Sequence, residues 1–298
     1  MRKEITLEQR ALGAYLGLAV GDALGATTEF LTPREIREKH GVHNRICGGG
    51  WLHLKPGQVT DDTEMSLALG QSIIESGKVE AKAVAEAFSQ WMRGKPVDIG
   101  NTVRRGIVHY RNSGETSVPE NEFDAGNGAC MRSLPVAIAY SNAEWDELIA
   151  ASRIQSHITH NNGQADAGTE TLLQMLRLAF SSASMQELLG IANDLVENHR
   201  AYRFDRRTVE NPSGWIVETL QAVFQSFFNN HDFESVLVDV VNRGGDADTT
   251  AAIAGMLAGA FYGVDAIPGY WLKALNKDVK IACRNQTYAL LELAGKSG

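Results

Sequence analysis

Two runs of glycine at every fourth position constrain the fold of this chain more than any other feature of its sequence. The runs consist of Gly13, Gly17, Gly21 and Gly25, and of Gly255, Gly259 and Gly263. Each glycine costs a helix about 1 kcal/mol relative to alanine, so the repetition indicates two helix backbones in close contact. The same spacing is typical of helix dimers in membranes. Asp22 lies inside the first run, however, which favours a helix pair at the centre of a soluble domain.

Apolar periodicity elsewhere in the chain predicts an all-α fold. Apolar side chains recur at intervals of three and four residues, as in amphipathic helices, over residues 84–91, 216–227 and 233–240. The segment SVLVDVV has the composition of a strand, but its apolar positions fit a helix that ends at Gly244 and Gly245. Clusters of Gly, Asn, Pro and charge predict loops at 40–58, 94–102, 112–128 and 200–214. Because no linker or repeat divides the chain, we expect one domain over residues 1–298.

The composition is that of an ordinary globular protein. Of its 298 residues, 44% are hydrophobic and 21% charged, and the formal net charge is −8. That negative charge argues against a nucleic-acid-binding protein, which would need a basic face. The three cysteines are odd in number and far apart, which indicates free thiols in a reducing compartment. The polar N-terminus shows no secretory signal and no apolar run is long enough to span a membrane, so we expect a cytoplasmic protein.

Two acidic motifs stand where helices are expected to begin. The first acidic motif is TDDT, residues 60–63, and the second acidic motif is DADT, residues 246–249. Either motif alone has an ordinary explanation, since Asp248 or Thr60 can cap a helix N-terminus through its side-chain oxygen. Together they supply four aspartates that could converge, and such a cluster needs positive charge to offset its repulsion. Oxygen ligands without His or Cys suit Mg²⁺ or Mn²⁺, and two such ions could share bridging aspartates.

Two other binding motifs do not fit the sequence. Counting from Asp246, positions 6 and 12 of an EF-hand calcium loop would be Ala251 and Leu257, where that loop requires Gly and Glu. The glycines at 126 and 128 lack the preceding strand and the third glycine of a dinucleotide-binding fingerprint. A pair of cations held by both acidic motifs is therefore the better interpretation.

Six motifs occur in the order found in the ADP-ribosylglycohydrolase family. They are GDALGATTEF, TDDTEMS, VDIGNT, GNGACMR, ITH and GGDADTTAAIAGMLAGA. The ordered set is specific, and the chain resembles this family from about residue 10 to about residue 290. The resemblance implies an all-α fold with a dinuclear Mn²⁺ or Mg²⁺ centre in a cleft. It also implies a hydrolase that removes ADP-ribose from a modified arginine side chain of a protein.

The same resemblance implies partners. The motifs are most similar to those of family members that act on dinitrogenase reductase, which implies that protein as the target. It also implies a nitrogen-regulatory signalling protein as a further partner. We expect the enzyme to be a monomer that binds no nucleic acid.

The resemblance further assigns roles to individual residues. It implies six metal ligands, which are Thr60, Asp61, Asp62, Asp246, Asp248 and Thr249. Asp98 matches a carboxylate implicated in proton transfer, and Glu29 matches a glutamate near the metals that serves as an acid or base in some members. The residues expected to bind the substrate are Gly100, Asn101, Asp124, Gly126, Asn127, Gly128, Met131, His160 and Trp215.

This chain departs from its relatives at two places. After His160 it has the sequence Asn-Asn-Gly where many relatives have Asn-His-Pro, which removes a second histidine. Trp215 stands where close relatives carry a tyrosine. A ring that stacks on the substrate survives this change, but a phenol hydrogen bond does not.

Simpler and rival interpretations stay open at this point. Asp98 can be a turn residue after a Pro-Val pair, and His160 can be a buried histidine with satisfied hydrogen bonds. The pair His231-Asp232 matches the dyad of an HD-type metal phosphohydrolase. Because the pair precedes a helix, Asp232 is also placed to act as its N-cap. A non-catalytic relative would be expected to lose metal ligands, and all six positions are present here.

Overall fold

The fold is built from α-helices joined by loops. The computed structural model describes residues 5–296. Its α-helices are α1 (Leu7–Gly25), α2 (Pro33–His40), α3 (Asp61–Ser76), α4 (Ala81–Arg93), α5 (Asn101–Ser113), α6 (Leu134–Ala139), α7 (Trp145–His157), α8 (Gly163–Phe180), α9 (Met185–Asn198), α10 (Ile216–Asn229), α11 (Phe233–Val241), α12 (Ala247–Tyr262), α13 (Gly269–Ala274) and α14 (Lys277–Lys296). Short 3₁₀ turns occupy Arg200–Tyr202 and Val264–Ala266.

The all-α prediction is confirmed. Over residues 5–296 the chain forms no strand, and its β-type pairing is limited to the isolated bridges Gly49–Leu54 and Gly126–Trp215. The strand-like segment SVLVDVV lies in α11, which ends at Val241, three residues before Gly244. The loop predicted from residue 112 runs further than expected, because α6 begins only at Leu134. Its extra length includes the last four residues of the GNGACMR motif, residues 129–132.

The two glycine runs bring α1 and α12 into direct backbone contact. A side chain on Gly17 would lie 2.2 Å from the Gly255 carbonyl oxygen, and one on Gly259 would lie 2.0 Å from the Gly13 carbonyl oxygen. No side chain fits at these distances, which explains the repeated glycine. Gly263 differs in conformation, since it ends α12 with a φ of 79° and a side chain there would lie 2.7 Å from Ile5 Cγ2. Its backbone still lies against α1, because a side chain on Gly13 would lie 2.8 Å from the Gly263 carbonyl carbon.

The antiparallel pairing of α1 and α12 places two chain segments at one end of the core. Gly25 at the end of α1 lies against Ala247 at the start of α12. The segment that follows α1 therefore meets the segment that precedes α12. At the other end of the pair, the Arg10 guanidinium donates to the carbonyl oxygens of Ala260 and Phe261 at 3.0 and 2.6 Å. Arg10 thus satisfies free carbonyl groups in the last turn of α12.

No helix in the described part of the chain has both the length and the apolar character needed to cross a bilayer. Residues 1–4, on which part of the N-terminal prediction rests, lie outside the described residues.

Candidate metal-binding active site

The second acidic motif lies at the start of α12. Gly244 and Gly245 adopt φ angles of 72° and 66°, and a side chain on Gly245 would lie 2.1 Å from the Pro212 carbonyl oxygen. Asp246 occupies the N-cap position without a side-chain cap hydrogen bond, and Asp248 lies in the first turn of α12. The capping explanation for Asp248 is therefore wrong, because neither carboxylate of this motif caps α12.

The first acidic motif is anchored by a residue of another helix. Thr60 is the N-cap of α3, but its side chain makes no cap hydrogen bond. Asp22 of α1 takes over that role. Its carboxylate accepts from the backbone N–H groups of Thr60 and Thr63 at 3.0 and 3.1 Å, and from their hydroxyls at 2.9 and 2.5 Å. Asp22 thus fixes the start of α3 and leaves the carboxylates of Asp61 and Asp62 unused by the helix.

The two acidic motifs meet, and Glu29 joins them. One carboxylate oxygen each from Glu29, Asp246 and Asp248 lies within 4.8 Å of the others, close enough to share a cation. The Thr249 hydroxyl donates to Asp62 Oδ2 at 3.3 Å, which links the second motif to the first. Glu29 therefore lies among the carboxylates that could hold metal, in addition to its expected role as an acid or base.

Burial and mutual repulsion raise the pKa values of these carboxyl groups. Burial is the main cause at Asp61, where the charges of Asp98 and Asp22 add to it and the pKa rises to about 8. Burial likewise raises the pKa of Glu29 to about 8, against a hydrogen bond from Trp51 that lowers it. The same cause raises the pKa values of Asp62, Asp246 and Asp248. Carboxylates in such a cluster are ionised together only when positive charge is present.

Two oxygens of the cluster have no partner within the described residues. They are Oδ1 of Asp62 and Oδ1 of Asp248, and both are buried. Buried polar atoms in proteins are nearly always hydrogen-bonded or bound to an ion. An all-oxygen set with unpaired carboxylate atoms fits a hard divalent cation.

The cluster faces a cavity of about 680 Å³. Asp98 is half-buried at its wall, where burial raises its pKa and Oδ1 accepts from the Ile99 N–H at 2.7 Å. The Gly100 N–H donates to Asp61 Oδ2 at 3.3 Å, so the VDIGNT loop contacts the first acidic motif. The predicted substrate-binding residues that line the cavity are Gly100, Asn101, Gly126, Asn127, Gly128, Met131 and His160.

The glycine-rich loop at 126–128 packs on the ring of His160. A side chain on Gly126 or Gly128 would lie 2.9 or 2.8 Å from that ring. Burial, with the charge of Arg132 as a second cause, lowers the pKa of His160 to about 3, so the ring is neutral. Its Nδ1 pairs with the Thr159 hydroxyl at 2.7 Å. His160 is thus a buried, hydrogen-bonded histidine that also reaches the cavity wall.

Asn127 connects this loop to the carboxylates. Its Nδ2 donates to Asp246 Oδ2 at 2.5 Å and to the Thr219 hydroxyl at 3.0 Å. Its backbone N–H donates to the Gly214 carbonyl oxygen at 3.0 Å. That N–H group is therefore not available to a phosphate group. Within this loop, a phosphate would have to be bound by the N–H groups of Gly126 and Gly128.

Two predicted substrate-binding residues lie outside the cavity lining. Asp124 forms an ion pair with Arg105 at 2.6 Å and accepts from Asn121 Nδ2 at 2.8 Å. The indole of Trp215 donates to Gln164 Oε1 at 2.7 Å, while its backbone pairs with Gly126. Both residues hold the glycine-rich loop in place. Their direct contact with substrate stays a prediction.

The HD dyad has a structural explanation. The Asp232 carboxylate accepts from the Ser235 N–H at 2.7 Å and caps α11, and His231 is exposed beside it. Neither residue lines the cavity.

Sequence reasoning missed Asp22, Phe30, Trp51 and Arg132. Asp22 could have been found, because a charged residue inside a glycine run must have a buried partner. Arg132 is fully buried and donates to Gln155 and to the Thr159 hydroxyl, which supports the residue next to His160. Phe30 and Trp51 both line the cavity, and nothing in their sequence spacing indicates that.

Comparison with known proteins gives a consistent result. Residues 3–297 match the family model for ADP-ribosylglycohydrolase. The ADP-ribosyl-[dinitrogen reductase] glycohydrolase of Rhodospirillum rubrum is 49% identical over 97% of this chain and 98% of its own. An ADP-ribosylarginine hydrolase of Pseudomonas putida is 35% identical over 89% of this chain and 73% of its own. A solved structure described as an ADP-ribosylglycohydrolase-related protein complex superposes with a TM-score of 0.86 at 35% identity, covering 97% of this chain and 99% of that chain.

Proposed function

The chain belongs to the ADP-ribosylglycohydrolase family, and we propose that it hydrolyses the bond between ADP-ribose and a modified arginine of a target protein. The observation that carries this proposal is the convergence of two acidic motifs, far apart in the sequence, on one cavity with unpaired carboxylate oxygens. A cavity of about 680 Å³ is also in the range that encloses a small-molecule ligand.

The residues proposed to hold two Mn²⁺ or Mg²⁺ ions are Thr60, Asp61, Asp62, Asp246, Asp248 and Thr249. Glu29 lies beside them and completes the carboxylate cluster. Divalent cations bound there would supply the positive charge that orients the ribose hydroxyls and lowers the pKa of a water molecule. Without that charge, the carboxyl groups of Glu29, Asp61, Asp98 and Asp246 repel one another.

Proton transfer is the task proposed for Asp98. The bond from ribose to the guanidine nitrogen breaks through an oxocarbenium-like transition state, and the leaving nitrogen must receive a proton. Burial raises the pKa of Asp98, which lets this carboxyl group hold a proton closer to neutral pH than an exposed aspartate. Glu29 is the alternative for the same task, and the Gly126–Gly128 loop is proposed to bind the pyrophosphate.

The finer biological assignments also rest on the relatives. We propose dinitrogenase reductase as the target, because the Rhodospirillum rubrum relative is named for that substrate and covers nearly the whole chain. From the family resemblance we propose that a nitrogen-regulatory signalling protein binds this enzyme. We also propose that the enzyme acts as a monomer in the cytoplasm. Three free cysteines agree with a reducing compartment.

The direct test is release of free ADP-ribose from arginine-ADP-ribosylated dinitrogenase reductase, measured with and without Mn²⁺. We expect release with the metal and little without it. The double variant His231→Ala, Asp232→Ala serves as a matched control, because it removes the HD dyad and a helix cap outside the cavity lining. It should keep ADP-ribose release and lose about 1 kcal/mol of stability. A folded, metal-loaded double variant without activity would favour a phosphohydrolase instead.

A further inference from the structure

Phe30 adopts a backbone conformation that a bulky residue rarely takes. Its φ is 60°, in the left-handed region, and the residue is 61% exposed at the cavity. The Glu29–Leu31 turn pairs with Gly245, just before the second acidic motif: the Phe30 N–H donates to the Gly245 carbonyl oxygen at 2.7 Å, and the Gly245 N–H donates to the Leu31 carbonyl oxygen at 3.1 Å. Glycine would satisfy this backbone with less strain. Burial does not compensate for the strain at an exposed ring, so folding alone does not account for phenylalanine here.

Trp51 completes an aromatic wall with Phe30. The two ring centroids are 5.4 Å apart with planes at 47°, and the Trp51 side chain is also about half exposed. Gly50 lets the Trp51 turn approach α1 closely, because a side chain there would lie 2.2 Å from the Ala26 carbonyl oxygen. The indole N–H donates to Glu29 Oε2 at 2.6 Å. The wall is therefore fixed directly beside a carboxylate of the cluster.

The charge around this wall selects the kind of group that it can bind. Glu29, Asp61 and Asp98 line the same cavity, and the described lining residues include no lysine or arginine. A flat cation is attracted both by the faces of aromatic rings and by nearby carboxylates. A guanidinium group has that shape and charge.

We propose that the faces of Phe30 and Trp51 form the subsite that receives the guanidinium and side chain of the modified arginine. This inference rests on the proposed function, since it assigns the protein side of the substrate to one part of the cavity. The ADP-ribose side then lies toward the Gly126–Gly128 loop, across the carboxylate cluster. An adenine ring could also stack on aromatic residues, so the experiment must separate the two halves of the substrate.

Substitutions at Phe30 distinguish binding of the arginine side of the substrate from binding of the ADP-ribose side. We expect Phe30→Leu and Phe30→Gly to raise KM for ADP-ribosyl-arginine peptides about 3- to 30-fold, while Phe30→Tyr keeps KM near that of the wild type. The inhibition constant of free ADP-ribose should change less than about 2-fold in all three variants, because that ligand has no guanidinium. Phe30→Gly should also keep or raise Tm, since it relieves the left-handed strain. Tyr288→Ala, at an exposed aromatic residue of α14, should change none of these values.

A second pair of variants tests the Trp51 ring. Trp51→Phe and Trp51→Leu both remove the N–H donor to Glu29, but only Trp51→Phe keeps an aromatic face. KM for the arginine substrate should therefore rise more in Trp51→Leu. Equal KM values for this pair, or unchanged KM in Phe30→Leu, would overturn the proposal. A parallel rise in the inhibition constant of free ADP-ribose would overturn it too, because the wall would then bind adenine.

A binding measurement keeps this proposal distinct from the proposed function. Calorimetry with ADP-ribosyl-agmatine and with free ADP-ribose, in an Asp98→Asn background to slow turnover, gives the affinity gained from the guanidinium. We expect Phe30→Leu to remove most of that gain. If the wild type releases no ADP-ribose but the gain is present and lost in Phe30→Leu, the proposed function fails and the subsite stands. If release is normal and the gain is unchanged in Phe30→Leu, the subsite fails alone.

Discussion

At the scale of single residues, Asp98 differs from the other carboxyl groups of the cavity. It is half-buried and lies in a loop that belongs to neither acidic motif. The Gly100 N–H of this loop donates to the Asp61 carboxylate. Its Oδ1 accepts a hydrogen bond from its own loop, at the Ile99 N–H. Glu29, by contrast, lies within the group of oxygens that could share a cation. This division favours Asp98 for proton transfer and Glu29 for organising the charge of the centre.

The exchange Asp98→Asn keeps the shape of the side chain but cannot exchange a proton. General acid or base groups typically contribute about 10²–10⁴ in rate, so kcat should fall by a factor in that range. Metal content and ADP-ribose affinity should stay close to wild-type values, which elemental analysis and calorimetry can measure.

Glu29→Gln is the comparison for Asp98→Asn. A large loss of kcat in Glu29→Gln together with near-normal Asp98→Asn would reverse the two roles. Loss of metal from Asp98→Asn would show that this residue supports the ligands and does not serve the chemical step.

His43 predicts a pH dependence of stability. Its ring is buried, Nε2 pairs with the Leu24 carbonyl oxygen at 2.9 Å, and burial lowers its pKa below the ordinary value. The unfolded chain therefore binds more protons than the folded chain below about pH 6.5, and stability is lost as pH falls from there toward the lowered pKa. Between pH 7.5 and 5.5 the wild type should lose up to about 1.4 kcal/mol more than His43→Gln in denaturant unfolding. Equal losses in both proteins would contradict this assignment.

At the scale of elements, the contact between α1 and α12 sets the position of everything at the cavity. Glu29 follows α1 and Asp246 precedes α12, so the approach of the two backbones brings these carboxylates together. Asp22 extends the same arrangement to α3, because one carboxylate of α1 holds the start of the helix that carries Asp61 and Asp62.

Gly17→Ala should strongly destabilise the protein. The added carbon would lie 2.2 Å from the Gly255 carbonyl oxygen, which is backbone and cannot move aside without separating the helices. We expect a loss of about 2 kcal/mol or more in the free energy of unfolding, with a fall in metal affinity as Glu29 and Asp246 move apart.

Gly190→Ala is the matched control within a helix. Gly190 is exposed in α9 and a side chain there would meet nothing within 4 Å. Alanine should therefore raise stability by about 0.5–1 kcal/mol, as helix propensity predicts. Similar effects at both glycines would show that propensity alone, and not close backbone contact, explains the first run.

At the scale of the whole molecule, the cavity concentrates negative charge in a chain whose formal net charge is already −8. The buried carboxyl groups with raised pKa values lie at the junction of α1, α3 and α12, so their repulsion acts on the centre of the fold. A bound cation should therefore contribute to stability as well as to catalysis.

Metal removal is the test at this scale. The purified protein should bind close to two divalent ions, and Asp61→Ala or Asp248→Ala should lose at least one by elemental analysis. Mn²⁺ at about 100 times its Kd should raise the free energy of unfolding by about 2.7 kcal/mol per site, visible as a higher Tm. Excess EDTA should abolish turnover and added Mn²⁺ or Mg²⁺ should restore it. Full activity in EDTA would exclude the dinuclear centre.

Several features of this protein follow from its sequence because they depend on spacing along the chain. Helical periodicity is a local property, and it correctly indicated an all-α fold, including the strand-like segment that lies in α11. The glycine runs likewise predicted a close helix pair, since only direct backbone contact explains glycine at every fourth position. The acidic motifs predicted that carboxylates far apart in the chain converge, and Asp61, Asp246 and Asp248 line one cavity.

Only the tertiary structure decided which of these residues meet, because such contacts join groups far apart in the chain. Spacing suggested that Asp248 caps its own helix, but the structure leaves α12 without a side-chain cap and has Asp22 of α1 anchor α3. Asp124 matches a substrate-binding position, yet an ion pair with Arg105 holds it outside the cavity lining. Phe30 and Trp51 meet across a turn that backbone pairing imposes. The packing of α1 against α12, and not any local preference, brings that turn to the carboxylates.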